Sequence, residues 1–452
     1  MRRLAHRVIA ISSAGLAVCA LVPALGQANG RPPMTNGVHF KPGDTAGVIV
    51  ATTFGLLVSP DGCRFYWLCE DNIGFGGEFD PAYAVTGSGA VVAATFHGLR
   101  ISRDGGCSFA TVTSPAGGSG DLAGMYFDAL DVSATGEICA GSSDTPPDNG
   151  VFCSTDDAVT FTARGGLPPA MWYRSVKFAP GDPNRLYASA YLIGGPDPDG
   201  GERSPTAHLF RSDDDGAHWT ELPLAGVAYG SVPQIYVQAV SPSDHNLVFL
   251  QSLAAHPPLG DRLYRSLDGG ASFTEVLATS DSLTGVVVHD ASTVIAATQT
   301  GSFRSTDGGA TFQPLSIPLA CLGQRSDGAM FGCMSSFGGD GTALARSTDG
   351  VAWQPVARLQ YLTGALACPT GTAEHDTCAG QWPSVAVQLG IMPAACATGP
   401  DGGAGAPSGD PGTPAHRSGC CDAGGSPTEP LVTGLVALSR LIAPRRRASR
   451  RR

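Results

Sequence analysis

The chain has 452 residues, 42% of them hydrophobic and 15% charged, with 61 Gly and 34 Pro. That is enough apolar matter for a large core and enough turn formers to exclude a mainly helical build. The formal net charge is −11, but with Arg2, Arg3, Arg7, the seven Arg beyond residue 439, Asp422 and Glu429 set aside, 18 basic residues face 37 acidic ones, near −19; a surface of that sign repels polyanions and excludes nucleic acid as a partner.

Arg2, Arg3 and Arg7 open the chain, an apolar run follows from Val8 to Leu25, and small residues close it at Gly26-Gln27-Ala28. That order marks residues 1–28 as a secretory signal peptide, with Cys19 inside the removed part. Export to the extracellular space or outer cell surface implies an oxidising compartment. Leaving out Cys19 and the tail pair Cys420 and Cys421, ten of the 13 cysteines remain, an even number that suits disulfides. Near neighbours are the expected pairs: Cys139 with Cys153, Cys321 with Cys333, and Cys368 with Cys378. Cys63, Cys69, Cys107 and Cys396 stay unassigned. There is no Cys-x-x-Cys, so neither a zinc ribbon nor a dithiol centre is indicated.

From residue 29 to 357 one phrase returns seven times: Ser, any residue, Asp, usually Gly, then an aromatic. It begins at Ser59, Ser102, Ser154, Ser212, Ser266, Ser305 and Ser347, at intervals of 43, 52, 58, 54, 39 and 42 residues. Intervals of this size are those of one four-stranded blade, so the chain reads as all-β, a seven-bladed β-propeller, with six or eight blades open if one end lends strands to the other. The blades centre near residues 38–70, 80–113, 125–164, 173–223, 233–278, 283–315 and 319–357. Each phrase falls between short strands, as in Gly301-Ser-Phe-Arg304 before Ser305, which places it on the last hairpin of a meander. There Asp61, Asp104, Asp156, Asp214, Asp268, Asp307 and Asp349 accept turn N–H groups, and Gly supplies positive φ. The aromatic, such as Phe109, Phe273 or Trp353, fills the space between blades.

The phrase resembles the Asp-box, or BNR, repeat of sialidases, sortilin-type receptors, xyloglucanases and photosystem-assembly-factor-like proteins, over roughly residues 37–357. The resemblance implies that the repeated Asp are structural and lie on outer hairpins away from the central channel. A sialidase would need three Arg from unequal positions, a Tyr with its Glu, and an acid. Here Arg211, Arg265, Arg304 and Arg346 recur just before their repeats, and Arg100-Ile101-Ser102 is a blade strand, not an Arg-Ile-Pro start. No catalytic residue is assigned. A non-catalytic binding or scaffolding module is expected, with a sialidase-like or xyloglucanase-like glycan hydrolase as the alternative.

Recognition is expected on the face opposite the repeated hairpins, where the loops are elaborated: Ser142 to Gly150, Tyr191 to Ala207 and Ala254 to Asp261. Trp172, Tyr173, Tyr191 and Tyr229 on that side are the candidate ligand-binding residues, stacking on a glycan or protein ligand. Asp197, Asp199 and Glu202 form a fragment of a calcium loop without the bidentate Glu, so no metal is assigned. No His-Glu-x-x-His and no phosphate-cradling loop occur, no cofactor is implied, and a monomer is expected.

Residues 358–398, with Cys368, Cys378 and Trp382, read as a disulfide-stapled appendage capping the propeller. Residues 399–418 are a Gly/Pro/Ala linker. Residues 419–452 carry Cys420 and Cys421, an apolar stretch from Leu431 to Pro444, and Arg445, Arg446, Arg447, Arg450, Arg451 and Arg452. This is similar to the myxobacterial-type C-terminal sorting tail, which implies processing at Cys420 and Cys421 and membrane contact only through the signal peptide and the tail. The apolar stretch is 14 residues long and is interrupted by Arg440, too short for a permanent span.

Overall fold

A computed structural model of the chain describes residues 31–76, 79–113, 122–196, 201–253, 260–334 and 341–391. Seven sheets follow one another, each a four-stranded antiparallel meander from a contiguous stretch of chain, spanning residues 35–68, 82–111, 127–163, 172–222, 235–278, 283–314 and 321–358. The first strands pack side by side around a central channel, and those of blades one and seven meet to close the ring. The molecule is a seven-bladed β-propeller. Among the described residues the four antiparallel strands of blades one and seven each come from their own stretch of chain. At the seam Thr35 Oγ1 of blade one donates to the Ala343 carbonyl of blade seven at 2.7 Å, and Val50, Leu57 and Trp67 share a core with Phe331 and Leu344.

Residue choice follows position along the meander. The second strands, such as Val91–Thr95 and Val294–Thr298, are buried at every position, because both faces are covered by neighbouring blades. They therefore read as continuous Val, Ile and Ala runs rather than alternating ones. The outermost strands Thr162–Ala163 and Gln313–Pro314 are exposed throughout, short and polar, as edges should be.

The repeated hairpin joins the third and fourth strands. In the sixth blade Ser305 Oγ donates to Asp307 Oδ1 at 2.7 Å and accepts Gly309 N–H at 2.8 Å, while the same Asp oxygen accepts Thr311 N–H at 2.9 Å. In the fourth, the His218 ring, then its backbone N–H and the Ser212 hydroxyl, hold Asp214 down to about 2. These carboxylates serve their own turns. Three of the hairpins also bond to the turn or to the adjoining start of the second strand of the same blade: Asp215 N–H to Asn184 O at 2.8 Å, Gly269 N–H to Asn246 O at 2.9 Å, Gly308 N–H to Ser292 O at 2.8 Å. Both sets of turns thus lie at one end of the channel, and the second-to-third turns and blade connections lie at the other.

The second Gly of the phrase answers a packing demand as well as a torsional one. Gly309 has φ 80°, and a Cβ there would fall 2.3 Å from Cζ of Phe249 on the preceding blade. Blade three departs from the pattern, holding Asp157 and Ala158 at φ 64° and 59°. Asp157 compensates by accepting Arg103 Nη1 at 2.8 Å and Ser88 Oγ at 2.7 Å from blade two.

Cys139 and Cys153 stand opposite one another on paired strands and are bonded, as are Cys321 and Cys333. Cys368 and Cys378 are not bonded to each other: the disulfides are Cys69–Cys378 and Cys107–Cys368. The reason is the path of residues 359–391. Gly364–Ala365 adds a fifth, parallel strand beside Tyr66 and Trp67, so each cysteine comes to lie against blade one or the hairpin of blade two. The appendage covers the outer edge of the ring there rather than capping its end. Trp382 packs on Trp67, ring centres 5.8 Å apart. Beneath it Glu374, fully buried, accepts Asn72 Nδ2–H at 3.0 Å and Cys69 N–H at 3.3 Å. Burial pushes this carboxyl up to about 7, against the pull of the Asn72 and Cys69 bonds.

Candidate functional site

At the channel end opposite the repeated hairpins, three aromatic rings from connecting segments stack in a row. Phe79 lies between blades one and two, Phe96 in the second-to-third turn of blade two, and Tyr126 between blades two and three. Ring centres are 5.2 Å apart for Phe79 and Phe96 and 4.4 Å for Phe96 and Tyr126, with interplanar angles of 13° and 28°. Phe79 is 59% and Phe96 41% exposed, unusual for large apolar rings and informative because they are contiguous.

Inward of this row the first strands of blades three, four and five each contribute one polar side chain. Phe127, Tyr173 and Ile235 are buried between blades, so strand alternation sends Asp128, Arg174 and Tyr236 to the other side. Arg174 pairs with Asp128 and donates Nη2–H and Nε–H to the Tyr236 hydroxyl at 2.8 and 3.1 Å; that hydroxyl donates to Gln234 Oε1 at 3.2 Å. Burial, opposed by the charge of Arg174, pushes the Tyr126 and Tyr191 phenols above their ordinary range. Both remain protonated hydrogen-bond donors at neutral pH. The Tyr126 N–H is held by Asp144 Oδ2 at 3.0 Å, and Asp144 N–H by Asn149 Oδ1 at 2.7 Å, which ties the 142–150 loop to the row.

The four aromatics expected at this face separate. Trp172 is half-buried and pairs across strands with Tyr191, ring centres 5.6 Å apart. Tyr191 itself is 6% exposed, and Tyr173 is fully buried with its hydroxyl on Pro168 O at 2.9 Å. Tyr173 therefore packs blades three and four together and presents no ring to a ligand. Tyr229 is 40% exposed on the connection between blades four and five. Phe79, Phe96, Tyr126, Asp128, Arg174 and Tyr236 were not among the expected residues. The available signal was aromatic residues in turns that need only small polar ones, as at Thr95-Phe96-His97-Gly98.

Glu202 is exposed on the short hairpin Gly195–Pro196 with Glu202–Arg203, while Asp197 and Asp199 lie outside the described residues, as do residues 1–28, Cys420 and Cys421. Among the described residues two groups have metal-like spacing, Cys69 with Glu374 and Cys378, and Glu137 with Cys139 and Cys153. Their sulfurs are bonded to each other as disulfides and are not free to ligate.

No family model and no curated protein matches the chain. Among solved structures it is similar to a GH74 enzyme from Niastella koreensis, with 15% identity, TM-score 0.39, covering 73% of this chain and 66% of that one. It is similar to the GH74 xyloglucanase from Xanthomonas campestris, with 15% identity, TM-score 0.44, covering 71% and 60%. It is also similar to YCF48 from Cyanidioschyzon merolae, with 12% identity, TM-score 0.43, covering 66% and 92%. The chain thus spans less than two thirds of the length of the two GH74 structures. At these values the likeness carries nothing about activity or ligand.

Proposed function

We propose that this protein is an exported, surface-sorted Asp-box propeller that binds a glycan or protein ligand at the aromatic mouth without transforming it. The observation that carries the reading is the exposed Phe79–Phe96–Tyr126 row beside the Asp128–Arg174–Tyr236 cluster. Flat apolar rings next to fixed polar donors suit the apolar face and hydroxyl edge of a sugar, or an aromatic-rich peptide segment. The polar groups are bonded to one another, and Asp128 is held by Arg174, which suits recognition better than proton transfer. The carboxyls whose titration burial pushes upward, Glu137 and Glu374, sit on the hairpin end and beneath the appendage, not at the mouth where a general acid would be needed. The four disulfides among the described residues support an oxidising destination. The charged start, apolar run and small-residue exit of residues 1–28, and the Cys420-Cys421, apolar and Arg-rich tail, support export and sorting.

The test is a polysaccharide and cell-envelope binding panel, with reducing ends measured in parallel. Capture that falls at least tenfold in Phe96→Ala, with unfolding temperature unchanged, is expected. Equal capture by Phe96→Ala and wild type would remove the aromatic mouth from the account, and release of reducing ends would replace binding by hydrolysis.

A further inference from the structure

The whole chain contains only two lysines, Lys41 and Lys177, and both line the same cavity. It occupies the other half of the channel, with a volume of about 710 Å³, and is walled by the last residues of the seven first strands and the turns that follow them. It therefore faces the hairpin end, away from the aromatic mouth.

The charges of this wall run against those of the molecule. In a body near −19, the lining holds Lys41, Lys177 and Arg325 against one carboxylate, Asp131. Asp131 is already engaged, accepting Lys177 Nζ at 3.1 Å and Phe178 N–H at 2.9 Å. Arg325 is matched by Asp327, at 2.8 and 3.1 Å, and lies over the Phe331 ring. Asp44, in the turn that follows Lys41, accepts Ala46 N–H at 2.8 Å, and that bond, with smaller contributions from the charges of Lys41 and Arg325, holds its carboxyl below the ordinary range. Lys41 has a neutral contact, the Ser88 carbonyl at 3.5 Å. His39, at the end of the first strand of blade one two residues before Lys41, is held to about 4 by burial and then by Lys177, so at neutral pH it offers an uncharged ring nitrogen. The remainder of the lining mixes apolar residues, including Phe40, Val132 and Val240, with polar ones such as Ser133, Gln238 and Gln324.

We propose that this cavity is a second ligand site, taking a small organic anion, a carboxylate or phosphate ester, with Lys41 as its charge partner and Lys177 and His39 as further hydrogen-bonding groups. The ammonium of Lys41 is a compact point charge on a flexible stem, suited to one oxyanion rather than to a planar fork. The cavity volume is within the range of small-molecule sites.

The lysine count makes the test direct. Reductive methylation of the intact protein with ¹³C-formaldehyde keeps the charge and labels Lys41, Lys177 and the amino terminus. The labelled protein is titrated with glucuronate, glucose 6-phosphate and, as the neutral counterpart, glucose. Saturable shifts of both lysine resonances with either anion but not with glucose are expected, and which anion acts distinguishes carboxylate from phosphate. Lys41→Gln is expected to weaken binding at least tenfold and Lys41→Arg to retain it within about threefold, both with unchanged unfolding temperature. No shift, an equal shift with glucose or with chloride, or unchanged binding in Lys41→Gln would overturn the proposal.

Discussion

Glu374 gives this fold a pH dependence that can be read from its surroundings. Its carboxyl is 0% exposed beneath the appendage, and burial moves it from 4.5 to about 7. In the unfolded chain it ionises near 4.5; in the folded protein it keeps its proton to about 7. Across that window the folded state binds more protons than the unfolded one, so stability falls as pH rises and levels off once both states are ionised. At about 1.4 kcal/mol per pH unit the loss is of the order of 3 kcal/mol. Glu374→Gln keeps an oxygen for Asn72 Nδ2–H and Cys69 N–H but cannot ionise. The variant should therefore match wild type near pH 4.5 and exceed it by up to about 3 kcal/mol above pH 7. Guanidinium unfolding of both proteins without reductant, at pH 4.5, 6, 7.5 and 8.5, measures this through the fluorescence of the five tryptophans, Trp67 and Trp382 among them. Other titrating groups are common to both proteins and cancel in the difference. A gap between the two that stays constant from pH 4.5 to 8.5 would refute the reasoning.

Two further outcomes follow from the packing. Gly309→Ala meets both a left-handed φ of 80° and the Phe249 ring, whereas Gly105→Ala meets φ 74° with nothing within 4 Å. The first should cost about 2 to 5 kcal/mol and the second about 1 to 2, by urea unfolding; equal losses would mean that the blade contact does not require Gly. The bridges Cys69–Cys378 and Cys107–Cys368 close nearly the same large loop. With one in place the other closes only about 48 residues, so Cys107→Ser with Cys368→Ser should cost about 4 kcal/mol on the chain-entropy account. Removing the remaining bridge should then cost more than removing the first, and simple additivity would argue against that coupling.

What could be read in the sequence was what each blade needs for itself. The hairpin phrase carries its hydrogen-bond pattern in consecutive residues, so its spacing counts the blades, and Cys139 with Cys153 or Cys321 with Cys333 face each other across a single strand pair. The Cys368 and Cys378 bridges depend on a segment that returns more than 250 positions, to Cys107 and Cys69, which no local spacing can indicate. The mouth cluster fails to appear for a related reason, since Asp128, Arg174 and Tyr236 come singly from three blades. Alternation did hold one unused clue. Trp172 and Tyr173 are adjacent in a strand and must face opposite ways; one can stand beside Tyr191 at the mouth only if the other enters the core.

The two ends of the channel inherit different freedom from the same meander. At the hairpin end the Ser-x-Asp turns of blades four, five and six are bonded to the start of the second strand or the turn before it, which ties the backbone there and leaves side chains on the last residues of the first strands as the place where chemistry varies. Lys41, Lys177, Asp131 and Arg325 occupy such positions or the turns after them. At the opposite end a Thr-x-x-Gly turn recurs in blades one, two and six, where Thr52, Thr95 and Thr298 Oγ1 donate to the carbonyls of Gly55, Gly98 and Gly301, but the blade-to-blade connections differ in length. Aromatic side chains such as Phe79, Phe96 and Tyr126 can be placed there by the backbone itself. A site for a small ion at the rigid end and a broad stacking surface at the variable end are the arrangements these two kinds of backbone favour.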